Sequence, residues 1–233
     1  MASHNIEPRW MSVMLESTEI VRTRVRKVLL NKKNLETSEL KKLLDDEAQE
    51  AIRRTLIEAE IPVQVVSEEG NYEIGEGGPF LVVDPLDGTT NIARGIPFAC
   101  ISMALSETPH ISGLVMGLVN DIYSGESYRA ERNKGAWSVG KRLTPSKSKQ
   151  LSEAIISLDI SKGAPLEGVE RLIKGSGHLR QTGSAALSLC YLAAGIIDAH
   201  VDLRGKLRIT DAAAGLLILK EAGGVYRIDG GDG

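Results

Sequence analysis

Cysteine is nearly missing from this sequence. Cys100 and Cys190 lie far apart, with no C-x-x-C and no histidine pair beside them. That leaves no disulfide framework or zinc ribbon, and both thiols read as small buried hydrophobes in a reducing compartment. His4, His110, His178 and His200 share no ligand spacing and read as structural or surface groups. Aromatic residues amount to 4%, too few for base-stacking platforms. Positive charge shows no excess, since the net charge is −3, so nucleic acid is not an expected partner. There is no run of eighteen apolar residues and no signal peptide, which sets the expectation of a cytoplasmic protein with no membrane partner.

What the chain does contain is ordinary for a globular protein: 233 residues, 42% hydrophobic and 25% charged. That length suits one large domain or two small, closely packed ones. The stretch from Phe80 to Asn91 stands out. Phe80 to Val83 is wholly apolar, as in a strand buried on both faces. It runs into Asp84-Pro85-Leu86-Asp87-Gly88-Thr89-Thr90-Asn91, two carboxylates followed by a glycine and good helix caps. Two carboxylates this close raise each other's pKa unless a positive charge sits between them. A divalent cation is the usual answer, and hard oxygen ligands favour magnesium or manganese. Main-chain N–H groups at Gly88 and Thr89, at a helix start, suit a phosphate. A solvated Asx turn after a strand would need no ligand at all.

Along the chain, apolar spacing predicts a helix from Ser12 through Leu29 after a frayed first dozen residues. A polar break at 31–34 follows. A second helix is predicted from about Ser38 to Glu60, with Leu40, Leu44, Ala48, Ile52, Leu56 and Ala59 on one face. Pro62 ends it, and Val63 to Val66 forms a strand running into Ser67-Glu68-Glu69-Gly70, a second acidic cluster at a strand end. Cys100 to Leu105 and Ile111 to Val119 read as paired strands. Tyr128 to Ala130 and Ala136 to Val139 read as a hairpin around Asn133-Lys134-Gly135. Polar, proline-bearing residues 143–150 mark a boundary between an N-terminal subdomain, 1–142, and a C-terminal one, 151–233, of one compact unit. Beyond it lie a strand from Ala154, a short helix from Glu167 to Lys174 and a helix after Gly183-Ser184-Ala185 that ends at Gly195. A strand from Ile197 to Leu203, a helix capped by Thr210-Asp211 and a last strand from Gly223 to Ile228 complete the prediction.

Glu68, Asp84, Asp87 and Asp211 thus all fall at element ends, a pattern suited to a divalent-metal site for phosphate-ester chemistry. Ser-Glu-Glu at 67–69, Asp-Pro-Leu-Asp-Gly-Thr-Thr-Asn at 84–91, Gly-Ser-Ala-Ala at 183–186 and Thr-Asp-Ala-Ala-Ala-Gly at 210–215 resemble the motifs of the inositol monophosphatases. Gly-Ile-Pro-Phe at 95–98 and Val-Asp-Leu-Arg-Gly at 201–205 are nearer to the archaeal-type members, often dual enzymes for inositol monophosphate and fructose 1,6-bisphosphate.

The resemblance implies a layered α/β/α/β/α sandwich, its first sheet largely antiparallel and its second mixed, assembled as a homodimer. It implies a magnesium-dependent phosphatase with two or three ions per site, for which manganese can substitute. Glu68, Asp84 and the carbonyl of Leu86 would hold one ion, and Asp84, Asp87 and Asp211 a second. Thr89, hydrogen-bonded near Glu68, would orient the attacking water, making Glu68, Asp87 and Thr89 the catalytic set. Asp87, Gly88 and Thr89 would bind phosphate, with Arg180, Gly183, Ser184, Ala185, Asp202 and Arg204 around the substrate. Asp46 stands where the family has a further acidic residue near the site, flanked by Asp45 and Glu47, so the resemblance leaves open which of the three occupies that place. Where the family commonly offers a glutamate to inositol hydroxyls, this chain reads Asp202-Leu203-Arg204. Arg204, and Arg180 as a second candidate, would bind a second phosphate or else form a surface ion pair.

Three rival readings fit the sequence less well. A haloacid-dehalogenase-type phosphatase spaces its two aspartates two apart, not three. A 3′(2′),5′-bisphosphate nucleotidase shares metal site and fold, but typically carries a charged residue soon after Asp-Gly-Thr. A binding or scaffold protein with a decayed site would have lost a ligand, and none is missing.

Overall fold

Apolar residues at helical spacing press the first two elements together. The computed structural model describes residues 9–32, 35–148, 150–160 and 169–228. Helix α1 (Trp10–Asn31) buries Trp10, Val13, Met14, Val21 and Val25 against α2 (Thr37–Glu58). It begins earlier than expected because Trp10, 1% exposed, is already part of the core; residues 1–8 of the expected fray lie outside the described residues. Leu40, Leu44, Ala48, Ile52 and Leu56 form the predicted buried face of α2, whose start is fixed by a capping box between Glu36 and Glu39.

These helices cover one face of an eight-stranded sheet, ordered β2-β1-β3-β4-β5-β6-β7-β8. Its strands are β1 (Val63–Ser67), β2 (Tyr72–Ile74), β3 (Phe80–Asp87), β4 (Cys100–Ser106), β5 (Leu114–Asp121), β6 (Ser127–Glu131), β7 (Gly135–Ser138) and β8 (Lys141–Arg142). A short helix, α3 (Thr89–Arg94), follows β3 directly. Strands β1 and β3 are parallel and every other pairing is antiparallel. Strand β4 is buried along its whole length and serves both faces by alternation. Ile101, Met103 and Leu105 join the core beneath α1 and α2, while Cys100 and Ala104 join the opposite one.

The opposite core is closed by α5 (Ala185–Ala193) and α6 (Ile209–Glu221). Both pack on β4 and β5, and α5 also touches a second sheet of three strands. That sheet, β10-β9-β11, comprises β9 (Ile155–Asp159), β10 (His178–Arg180) and β11 (Ala199–Asp202). Helices, large sheet, helices and small sheet therefore stack in the order of the first four expected layers. Helix α4 (Glu170–Gly175) starts later than predicted, and Glu167 and Gly168 lie outside the described residues.

Two expectations are corrected here. The second sheet is parallel in both of its pairings rather than mixed. The segment predicted as a last strand, 223–228, pairs with no strand among the described residues, and Val225 is 90% exposed. Among the described residues, no helix is long and apolar enough to cross a membrane.

Helix α6 sits directly on β5 at Gly117, where an added Cβ would lie 3.0 Å from the carbonyl oxygen of Ala214. Gly117→Val should therefore destabilise the protein by about 1–3 kcal/mol, read as a lower urea midpoint at unchanged slope. A midpoint equal to that of wild type would show that α6 can shift without penalty.

Candidate active site

The acidic residues meet because of how β3 ends. Pro85 has no N–H to give to a ladder, and the pairing with β4 breaks register between Asp84 and Asp87. Asp84, 2% exposed, accepts a hydrogen bond from the Leu86 N–H at 2.9 Å, so the chain turns back tightly. Strand β1 lies parallel to β3 with Ser67 opposite Val83, which delivers Glu68 beside Asp84. Asp211 comes from the first turn of α6. Carboxylate oxygens of Glu68, Asp84 and Asp211 all fall within 4.8 Å of one another.

Asp87 is turned partly away from that group. Its Oδ2 accepts from Ser184 Oγ at 2.8 Å and from the Ala186 N–H at 2.8 Å, at the start of α5. Of the expected Gly183-Ser184-Ala185 turn, then, Ser184 makes the contact and the main chain of Ala186 completes it. Gly183 instead packs against Asn91, whose Nδ2 donates to Phe98 O and Thr182 O and ties α3 to this turn. Gly88 precedes α3 at φ 101°, and a Cβ there would lie 3.0 Å from Phe98 O, so only glycine fits.

Burial raises the pKa values of Asp84 and Asp87. Asp84 is held well above its usual range by burial and by the charges of Asp87, Glu68 and Asp211. Asp87 is pushed up to about 7 by burial, against the hydrogen bonds from Ser184 and Ala186, with Asp211 raising it further. Such crowding of negative charge is what a cation relieves. The donor set fits a hard divalent ion: carboxylate oxygens, with the Leu86 carbonyl at the same turn.

Thr89 is placed differently from expectation. Its Oγ1 lies 2.8 Å from Asp45 Oδ1 and 2.9 Å from Leu86 O, and its one proton serves these two acceptors rather than Glu68. Of the three neighbouring acidic residues, Asp45 makes the contact with Thr89, while the Asp46 carboxylate sits on the outer face of α2 in a 2.7 Å pair with Lys42. One step along a helix turns a side chain by about 100°, and α3 packs against the flank that carries Asp45. Burial pushes the Asp45 carboxyl up to about 6, against the Thr89 hydrogen bond.

The two candidate arginines part company. Arg180 is exposed on edge strand β10 and donates to its neighbour's carbonyl, Leu179 O, at 2.8 Å. Arg204 has a buried anchor instead. Its Nε and Nη2 engage Asp202 at 3.1 and 2.6 Å, and its charge acts on Asp87 and Asp211. Asp202 thus serves the arginine with both oxygens rather than facing outward. Sequence reasoning missed Arg208, whose guanidinium bridges Glu68 and Asp211. Its position three residues before Asp211, at the start of α6, was the available signal.

The sequence profile of the inositol monophosphatase family matches residues 9–231. The chain belongs to that family. A fructose-1,6-bisphosphatase/inositol-1-monophosphatase of Methanothermobacter thermautotrophicus is 37% identical over 195 residues, covering 79% of this chain and 69% of the relative. A protein of the same name from Archaeoglobus fulgidus is 35% identical over 213 residues, covering 90% and 77%. Among solved structures, the extragenic suppressor protein suhB of Bartonella henselae superimposes with a TM-score of 0.77 at 28% identity, covering 93% of this chain and 85% of that one. Inositol monophosphatases are metal-dependent, and the cluster of Glu68, Asp84 and Asp211 gives this family member the ligands to hold an ion.

If the carboxylates hold a cation, magnesium at about 100 times its Kd should stabilise the fold by about 2.7 kcal/mol. For a chain of this length that raises Tm by roughly 5–10 °C. Asp84→Asn should abolish the rise. A melting curve of the wild-type protein that ignores magnesium would reject the metal site.

Proposed function

We infer that this chain is a metal-dependent phosphoric monoester hydrolase for small polyol and sugar phosphates, with inositol 1-phosphate and fructose 1,6-bisphosphate as substrates. The carrying observation is the convergence of Glu68, Asp84 and Asp211 beside the Asp45–Thr89 pair, in a member of the inositol monophosphatase family. The archaeal relatives named for both activities support the substrate class.

On this reading Glu68, Asp84 and the Leu86 carbonyl hold one magnesium ion, and Asp84, Asp87 and Asp211 a second. Two or three ions per site are assigned, with manganese as a substitute. When bound, the metal polarises the phosphoryl oxygens and lowers the pKa of water. The protein's own groups do the rest. Ser184 and the Ala186 N–H occupy Asp87 Oδ2, so Oδ1 is the atom left for a cation. Thr89 Oγ1 takes a hydrogen bond from the attacking water and passes its own proton towards Asp45 Oδ1, 2.8 Å away. Main-chain N–H groups of Gly88 and Thr89 hold the phosphate. A homodimer, a cytoplasmic setting and a division into subdomains 1–142 and 151–233 belong to the same reading.

Phosphate release from inositol 1-phosphate, fructose 1,6-bisphosphate and adenosine 3′,5′-bisphosphate, with magnesium and then with chelator, tests the assignment. Preference for the nucleotide would replace it with the nucleotidase reading. Asp45→Asn and Thr89→Ala should each lower kcat by roughly 10²–10⁴, and the double variant should fall little further than the worse single one. Multiplying losses would mean that the two residues act separately.

Arg204 bears on the choice of sugar. Nη1 takes no part in the Asp202 pair, so the guanidinium can meet a second, non-reacting phosphate without giving up its anchor. Arg204→Ala should lower kcat/KM for fructose 1,6-bisphosphate by roughly 10- to 150-fold and leave inositol 1-phosphate within about threefold. Equal losses on both substrates would assign Arg204 to the shared site.

A further inference from the structure

Arg208 stands at the N-cap of α6, three residues before Asp211. Its Nε donates to Asp211 Oδ1 at 3.2 Å, its main-chain N–H faces Asp211 Oδ2 at 3.4 Å, and its Nη1 donates to Glu68 Oε1. Glu68 and Asp211 are two of the three carboxylates whose oxygens cluster within 4.8 Å. The third, Asp84, also feels the guanidinium's charge. One arginine thus holds an oxygen from each of two carboxylates that the metal reading assigns to a cation. The fork shape of guanidinium is suited to bridging two carboxylates in this way.

We propose that Arg208 is a built-in counter-ion that competes with the divalent metal for Glu68 and Asp211, and so sets how tightly the site loads. The proposal rests on the metal reading above. An N–H group and a divalent ion cannot share the same oxygen lone pair, and their charges repel. A divalent ion drawn to the same carboxylates must either take Glu68 Oε1 from Arg208 or sit beside the guanidinium on the remaining oxygen, and either cost is subtracted from metal affinity. The same pairing keeps Glu68 and the buried Asp211 from facing one another unrelieved when metal is scarce. Because the Arg208 side chain is 53% exposed, water screens the pair, and the effect is smaller than for a buried bridge.

The test compares chelator-treated wild type, Arg208→Gln, Arg208→Lys and Asp84→Asn by manganese titration calorimetry and thermal melting. Arg208→Gln should bind manganese on the order of tenfold tighter than wild type, while the stripped variant melts at a lower temperature. Arg208→Lys keeps the charge but loses the fork, so its affinity should fall between the two. It also provides the comparison if the glutamine variant fails to fold. Damage to the fold alone would weaken metal binding, so tightening separates competition from a structural role. Unchanged or weaker manganese binding in Arg208→Gln overturns the proposal while leaving the metal site intact. Wild-type protein without manganese binding that Asp84→Asn removes overturns both.

Discussion

Mutual repulsion among Glu68, Asp84, Asp87 and Asp211 is the constraint around which this structure is arranged. Burial first, and neighbouring charges of the same sign second, hold the Asp84 and Asp87 carboxyls above their usual range. No single element could hold them there. Strand β3 supplies two, because a proline and a broken register let both leave the same strand end. Strand β1 supplies Glu68 through the one parallel pairing in the large sheet. Helix α6 supplies Asp211, and α5 restrains Asp87 through Ser184 and a main-chain N–H. The surrounding packing, with β4 buried throughout and α6 seated on Gly117, fixes positions that electrostatics alone would spread apart.

Much of this was legible before the fold was known, because the carboxylates sit at the abrupt ends of apolar runs. An apolar run from Phe80 to Val83 that stops at Asp84-Pro85-Leu86-Asp87 leaves few local solutions, although the strand itself continues through to Asp87. The face of α2 was equally readable from its spacing. What could not be read was rotation about that helix. Asp45 and Asp46 are adjacent and chemically equivalent, and only the placement of α3 decides that Asp45 meets Thr89. Residues 223–228 failed for another reason, since β-forming composition makes a strand only where a neighbour offers free main-chain groups.

The arginines show the same limit at the level of charge. Sequence marked Arg180 and Arg204 by their nearness to recognisable motifs, yet Arg180 lies on an exposed edge while Arg204 is anchored by Asp202. Arg208 drew no notice because its partner, Glu68, is 140 residues away in the chain. Contacts spanning that distance leave no periodic trace. They arise from which strand lies beside which, and here from the parallel pairing of β1 with β3.

That separation also orders events in time. The N-terminal sheet and its helices can be synthesised and begin to pair long before the ribosome reaches α6. Until α6 docks, β1 and β3 present Glu68, Asp84 and Asp87 with neither Asp211 nor Arg208 alongside. Closing so long a loop is entropically slow, and contacts of high sequence separation form late in folding. On the proposed reading, the cleft gains its full set of carboxylates only once α6 has docked, so a molecule folded as far as the large sheet would still lack it.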